Sequence, residues 1–147
     1  MAMVKAAAKW LARLPVAGVA AEIYVGTLRH VEWLEGYQSA IATYRDPPRT
    51  LDELQNDVAN PQPGYHIHHI VEQTPARRFR ISRSDIDAAE NLVRIPVLRH
   101  YEITGWYATR NEEFGGLSPR DYLRNRNWDE RRRVGLGALI RFQVLQP

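Results

Sequence analysis

Ala20, Ile23, Tyr24, Thr27, Leu28, Val31 and Leu34 recur at the i, i+3, i+4 spacing of one helical face. The spacing predicts an amphipathic helix ending near Tyr44, separated by a break at Pro15 from a short first helix that starts at Ala6. Its apolar stripe requires a partner. Asp46-Pro47-Pro48 stops it, and Thr50 with Glu53 forms a capping-box signature for a short helix running toward Val58. Asn60-Pro61-Gln62-Pro63-Gly64 is the strongest boundary signal. It divides the chain into a helical N-terminal segment, 1–60, and a domain over 61–147.

Beyond the boundary the pattern changes. Tyr65 to Val71 is aromatic and β-branched, which predicts a strand. Residues 73–90 lack periodicity and read as a long ordered loop, a length usually associated with function or disorder. Asn91 to Ile95 predicts a second short strand. Pro96 suits the first position of a helix over Val97–Ala108, in which His100, Ile103, Thr104 and Tyr107 share one face. Ser118-Pro119 with Asp121 opens another helix, and Asn127 with Glu130 opens a last one through "RRRVGLGALIRF". Val134, Leu136, Leu139 and Ile140 supply its buried side. Gly135 and Gly137 weaken it by ~1 kcal/mol each relative to alanine, and they permit close packing against a neighbour. The fold class is α+β and mostly helical.

Composition narrows the chemistry. At 147 residues the chain holds one domain, or one with an appendage, and its ordinary apolar and charged fractions argue against wholesale disorder. The absence of cysteine removes disulfides, thiolate chemistry and cysteine-based zinc motifs, leaving histidine and carboxylate as metal ligands. The apolar run from Leu14 to Gly26 contains Glu22 and is shorter than the ~20 residues a membrane span needs. Trp10, Arg13 and Pro15 break any signal-peptide pattern. The expectation is a protein without a membrane partner, acting in the cytoplasm. Residues 61–147 carry fourteen basic side chains against ten acidic, and all fourteen are arginine. Arginine holds phosphate through a bidentate fork; a GC-rich genome explains the bias equally well.

The remaining signal is "GYHIHHIVEQ", with His66, His68 and His69 in four positions. On a strand, His66 and His68 point to one side and His69 to the other. Alone, such a cluster is either a set of metal ligands or includes a satisfied core histidine. With "NLVRIPVLRH" it forms an ordered set: His68-His69-Ile70-Val71, then Asn91-Leu92-Val93, then His100 nine residues after Asn91. This set resembles the HNH, or His-Me finger, nucleases, in their toxin and phage branch, and covers residues 64 to about 108. The resemblance implies a ββα-metal finger, a short β-hairpin plus a helix, surrounded by N- and C-terminal helices. It implies an endonuclease hydrolysing phosphodiester bonds of nucleic acid, DNA in the first instance, with one divalent metal ion: Mg, Mn, Zn or Ni. His68 and His100 would be the metal ligands, His69 the general base, and Asn91 the residue that fixes the hairpin and orients the base loop. Colicin-type members carry a further histidine where this chain has Thr104, so two protein ligands are expected. His66 is a further ligand, a phosphate contact or a lining of the groove.

The chemistry requires these residue types. Phosphodiester hydrolysis needs a nucleophile, stabilisation of charge on the phosphate and help for the leaving oxygen. An imidazole can take a proton from water near neutral pH. Substrate phosphates would fall to Arg77, Arg78, Arg80, Arg83, Arg94 and Arg99; Arg131, Arg132 and Arg133 are either a further basic run or an exposed helix face. Trp33, Tyr37, Tyr44, Trp106 and Tyr107 are expected in the core, His30 carries no functional role, and Glu72 is expected to bind an arginine or order the site. The same resemblance admits a toxin domain of a larger bacterial effector, delivered into a target cell and paired with an acidic immunity protein. The competing class is a noncatalytic nucleic-acid-binding module with a structural metal finger.

Overall fold

The computed structural model describes residues 18–73 and 81–147, with side chains placed from Gly26 onward. The short first helix expected from Ala6, and the break at Pro15, lie outside the described residues. Helix α1 spans Gly18–Tyr44 and stops at the Asp46-Pro47-Pro48 breaker. The chain divides into two compact units between Ser39 and Ala40.

In the N-terminal unit, His30 Nδ1 donates to the Gly26 carbonyl one turn back at 2.8 Å, a contact within its own helix. Trp33 and Tyr37, expected in a core, stack on each other with ring centroids 5.3 Å apart and both stay exposed. The i, i+4 spacing brings the rings together but supplies nothing to bury them.

The second unit begins with the last turn of α1, where Ala40 and Thr43 are buried. Thr43 Oγ1 donates to the Gly64 carbonyl at 2.8 Å, and the Val97 amide donates to the same oxygen at 2.9 Å. Gly64 has φ 86°, a conformation open to glycine and costly for other residues. Helix α2, Leu51–Asn56, carries the capping box read from the sequence, with Thr50 accepting from Glu53 N and Glu53 accepting from Thr50 N. A 3-10 turn, Asp57–Ala59, follows it. Because α2 contributes Leu54 to the core and the 3-10 turn contributes Asp57 to a pairing with Arg94, the Asn60–Gly64 stretch lies inside this unit rather than at its edge.

Strand β1, Tyr65–His69, pairs antiparallel with β2, Leu92–Pro96, in the register His66↔Ile95, Ile67↔Arg94, His68↔Val93. Between them lie a single turn α3, Arg83–Ile86, and a 3-10 turn, Ala89–Asn91. Helix α4, Val97–Ala108, follows β2 directly. Pro96 closes the strand and caps the helix instead of opening it; its ψ of 136° is extended because it still pairs with Tyr65. The expected capping residues do open α5, Pro119–Tyr122, and α6, Trp128–Arg141: Ser118 accepts from Asp121 N and Asn127 from Glu130 N.

The core gathers Leu54, Ile70, Val93, Ile95, Ile103, Tyr107, Val134 and Leu139 from α2, the hairpin, α4 and α6. Tyr107 is buried and Trp106 packs at its edge, as expected; Tyr44 is only partly covered. The chain after α6 turns at Gln143 and pairs with the segment before α2, Arg49 N to Val144 O and Gln146 N to Arg49 O. The architecture is α+β, mostly helical, with one antiparallel hairpin. Among the described residues no helix is long and apolar enough to cross a membrane.

One contact ties α6 to the hairpin. A Cβ on Gly135 would sit 2.0 Å from the Ile70 carbonyl oxygen, whereas one on Gly137 would meet nothing within 4 Å. Gly135→Ala should therefore destabilise the fold by ~1–3 kcal/mol, the usual cost of overpacking. Gly137→Ala should stabilise it by up to ~1 kcal/mol through helix propensity. Urea unfolding of the two variants beside the parent measures both signs.

Candidate active site

The register of β1 decides which histidines meet. His66 and His68 share a face with their cross-strand partners Ile95 and Val93 and look toward α4, while His69 lies on the other face. On α4, His100 sits one turn from the helix start. The His68 and His100 rings have centroids 5.2 Å apart and an interplanar angle of 72°. His66 and His100 rings are 5.3 Å apart, with their Nδ1 atoms 3.2 Å from each other. Residues 68 and 100 are thus brought together from two distant stretches of chain.

His68 is 5% exposed and its Nε2 has no hydrogen-bond partner. Leaving a buried polar atom unpaired costs ~1–3 kcal/mol, so this nitrogen needs an explanation. Burial, with His100 and His69 as lesser contributors, depresses the His68 pKa to about 3, which keeps its ring neutral. His100 is half-buried, and burial together with His66 and His69 holds its pKa below the ordinary value. Neutral imidazoles present lone pairs, the form in which histidine binds a metal. Among the described residues no group of three or more His, Asp or Glu side chains is arranged to hold a metal ion. The donor set at hand is therefore a pair, His68 and His100. Thr104, one turn further, donates to the His100 carbonyl and belongs to its own helix.

His69 points into different surroundings. Its Nε2 lies 3.4 Å from Asp87 Oδ1 and 3.0 Å from Gln73 Nε2. Asp87 follows α3 and is itself held by Arg83 Nε at 3.2 Å, the largest influence keeping its carboxyl below the usual range. Gln73 Nε2 can only donate, so in that contact His69 Nε2 accepts and the ring proton sits on Nδ1; with the Gln73 amide turned over, Nε2 donates to Asp87 and the lone pair moves to Nδ1. Asp87 was missed in the sequence because residues 73–90 showed no periodicity; the Ser82-x-x-Asp85 capping pattern of α3 was the available signal.

Asn91 is fully buried. Its Oδ1 accepts from Val71 N at 2.8 Å, and its Nδ2 donates to Val71 O at 3.2 Å and Ile86 O at 2.9 Å. With every amide group spent on backbone, Asn91 positions the turn after His69. Glu72 takes a bidentate pair from Arg120, at 3.1 and 2.6 Å.

The arginines separate sharply. Arg94 is 8% exposed; it pairs with Asp57 at 2.6 Å and lies over the Tyr65 ring. Arg99 pairs with Glu102 and lies over the Tyr44 ring. Neither is placed to hold a substrate phosphate, because each guanidinium is already occupied inside the fold. Arg131 is buried and donates to the Arg124 and Arg126 carbonyls, Arg132 donates to Glu90 O, and Arg133 forks onto Glu130. Arg77, Arg78 and Arg80 lie outside the described residues. Arg83 remains, with its side chain 84% exposed, one residue removed from His69 through Asp87.

No family model, curated protein or solved structure matches this chain.

The depressed His68 pKa sets a pH dependence. The unfolded chain binds a proton near pH 6.5 and the folded chain only near 3, so this stabilisation is full above 6.5 and is lost as pH falls toward 3. The unfolding free energy of the metal-free protein in EDTA, from denaturant titrations, should fall over that interval by a few kcal/mol more than that of His68→Leu, which has no such proton to exclude.

Proposed function

We propose that this chain is a metal-dependent endonuclease of the His-Me finger type that hydrolyses phosphodiester bonds, with DNA as the first substrate to test. The observation that carries the reading is the buried, unpartnered Nε2 of His68 packed beside the neutral ring of His100. A divalent ion on these two imidazoles would explain the otherwise costly nitrogen. A closed structural site normally takes four protein ligands, and a two-histidine set leaves positions for water and phosphate, which favours catalysis over a structural staple.

A bound divalent ion supplies Lewis-acid polarisation of the phosphate and stabilises charge on the leaving oxygen. The chain's own residues do the rest. His69 takes the proton from the attacking water on Nδ1. With the Gln73 amide turned so that its oxygen faces Nε2, Asp87 keeps that ring nitrogen protonated and the ring oriented, in the manner of a carboxylate behind a histidine base. Asn91 holds the turn that carries this ring. Arg83, paired with the Asp87 that sits beside the base, has an exposed fork for phosphate; Arg77, Arg78 and Arg80 belong to the same proposal on sequence alone. His66, exposed at the mouth of the pair, contacts substrate. A toxin role within a larger effector, with an acidic protein inhibitor, is compatible with this chemistry.

Supercoiled-plasmid cleavage with Mg, Mn, Zn or Ni, and its loss in EDTA, is the primary test. His69→Ala should lower the rate by ~10²–10⁴-fold while metal binding, read by calorimetry, persists. His100→Ala should abolish both. Asp87→Asn should lower kcat with little change in KM. Normal cutting by both histidine variants would overturn the assignment.

A further inference from the structure

Tyr101 follows His100 on α4, and the 100° step of the helix carries it off the core face, where it is 59% exposed. Single exposed aromatic residues are common on protein surfaces. This one differs in its neighbours. Its ring centroid is 6.1 Å from that of His100 at an interplanar angle of 33°, and 5.8 Å from that of His66 at 89°. His66 is itself exposed and is linked to His100 through their facing Nδ1 atoms. The three rings make a right-angled corner: Tyr101 as the exposed ring, His66 standing perpendicular to it, and His100 as the link to the buried His68.

A corner of this kind suits a planar, aromatic, polar-edged group. The face of Tyr101 can stack on a ring, and the His66 edge can meet a ring nitrogen or exocyclic group. We propose that Tyr101, walled by His66, is a stacking platform for an unpaired nucleobase beside the bond to be cut, so that single-stranded nucleic acid is bound in preference to duplex. The proposal rests on the endonuclease reading of the same site. In a duplex both faces of each base are covered by neighbours, so a base must leave the stack to reach such a surface. Stacking on aromatic side chains is tolerant of sequence, since every base has a π-face. The platform therefore selects strandedness without selecting sequence.

The test compares the parent protein, Tyr101→Ala and Tyr101→Trp on a single-stranded DNA oligonucleotide and on its duplex. Tyr101 is exposed, so neither variant threatens the fold. Tyr101→Ala should raise KM for the single strand by about tenfold, within the range measured for loss of one stacking contact. Its kcat, and its KM on the duplex, should stay unchanged, and Tyr101→Trp should behave as the parent. A second measurement, in EDTA so that nothing is cut, follows the fluorescence of 2-aminopurine in the single strand. It should be quenched on binding to the parent and to Tyr101→Trp, but not to Tyr101→Ala. Equal quenching by the parent and Tyr101→Ala, or an equal rise in KM on both substrates, overturns the platform. If the parent cuts neither substrate with any metal while the quench still depends on Tyr101, the platform stands and the hydrolase reading falls.

Discussion

The turn at Ile70-Val71 is the constraint on which the site depends. The Asn91 side chain grips Val71 through both its N–H and its carbonyl, the Asn91 carbonyl accepts from Ile70 N at 2.9 Å, and α6 comes close enough at Gly135 to touch the Ile70 carbonyl. These contacts lock the residues just after His68 and His69. A strand has a period of two, so a slip of one residue would turn His69 toward α4 and His68 away. Pinning the strand end keeps one imidazole buried against His100 and the other beside Asp87. The clasp also explains why Asn91 can be fully buried: each of its amide groups has a backbone partner.

The two faces of the hairpin solve different electrostatic problems. On one face Arg94 enters the interior, and its charge is matched by Asp57, whose carboxyl is held below its usual range first by Arg49 and then by Arg94. Tyr65 lies in the same layer, its hydroxyl bonded to Asp46 and its pKa pushed up to about 12, chiefly by burial. A buried charge is tolerated only when paired and hydrogen-bonded. The opposite face carries His66, His68 and the facing His100. Burial keeps His68 and His100 neutral, so that side has lone pairs to offer instead of charge. The hairpin is a partition between an ion-paired layer that braces the fold and a layer where His66, His68 and His100 meet.

The same division limits what net charge means here. Residues 61–147 carry an excess of arginine, but Arg94, Arg99, Arg120 and Arg131 are spent on the protein's own carboxylates, carbonyls and aromatic rings. Guanidinium suits both uses, since its planar fork serves a protein carboxylate as well as a phosphate. Counting arginines in a sequence therefore overstates the surface open to a polyanion.

Local rules settled what depends on neighbours in the chain. The Thr50–Glu53, Ser118–Asp121 and Asn127–Glu130 caps, the extent of α4 and the strand character of "YHIHH" and "LVRIP" follow from propensity and periodicity, which act over a few residues. The pairing of residues 68 and 100 was legible only through the order of motifs. Tertiary contact decided the rest. It turned Arg94 and Arg99 inward, left Trp33 and Tyr37 uncovered, and brought Asp87 from an aperiodic stretch to His69. It also put Gly135, distant in sequence, against the backbone beside the site. Each depends on which surface a side chain meets across space, and a pattern along the chain carries no record of that.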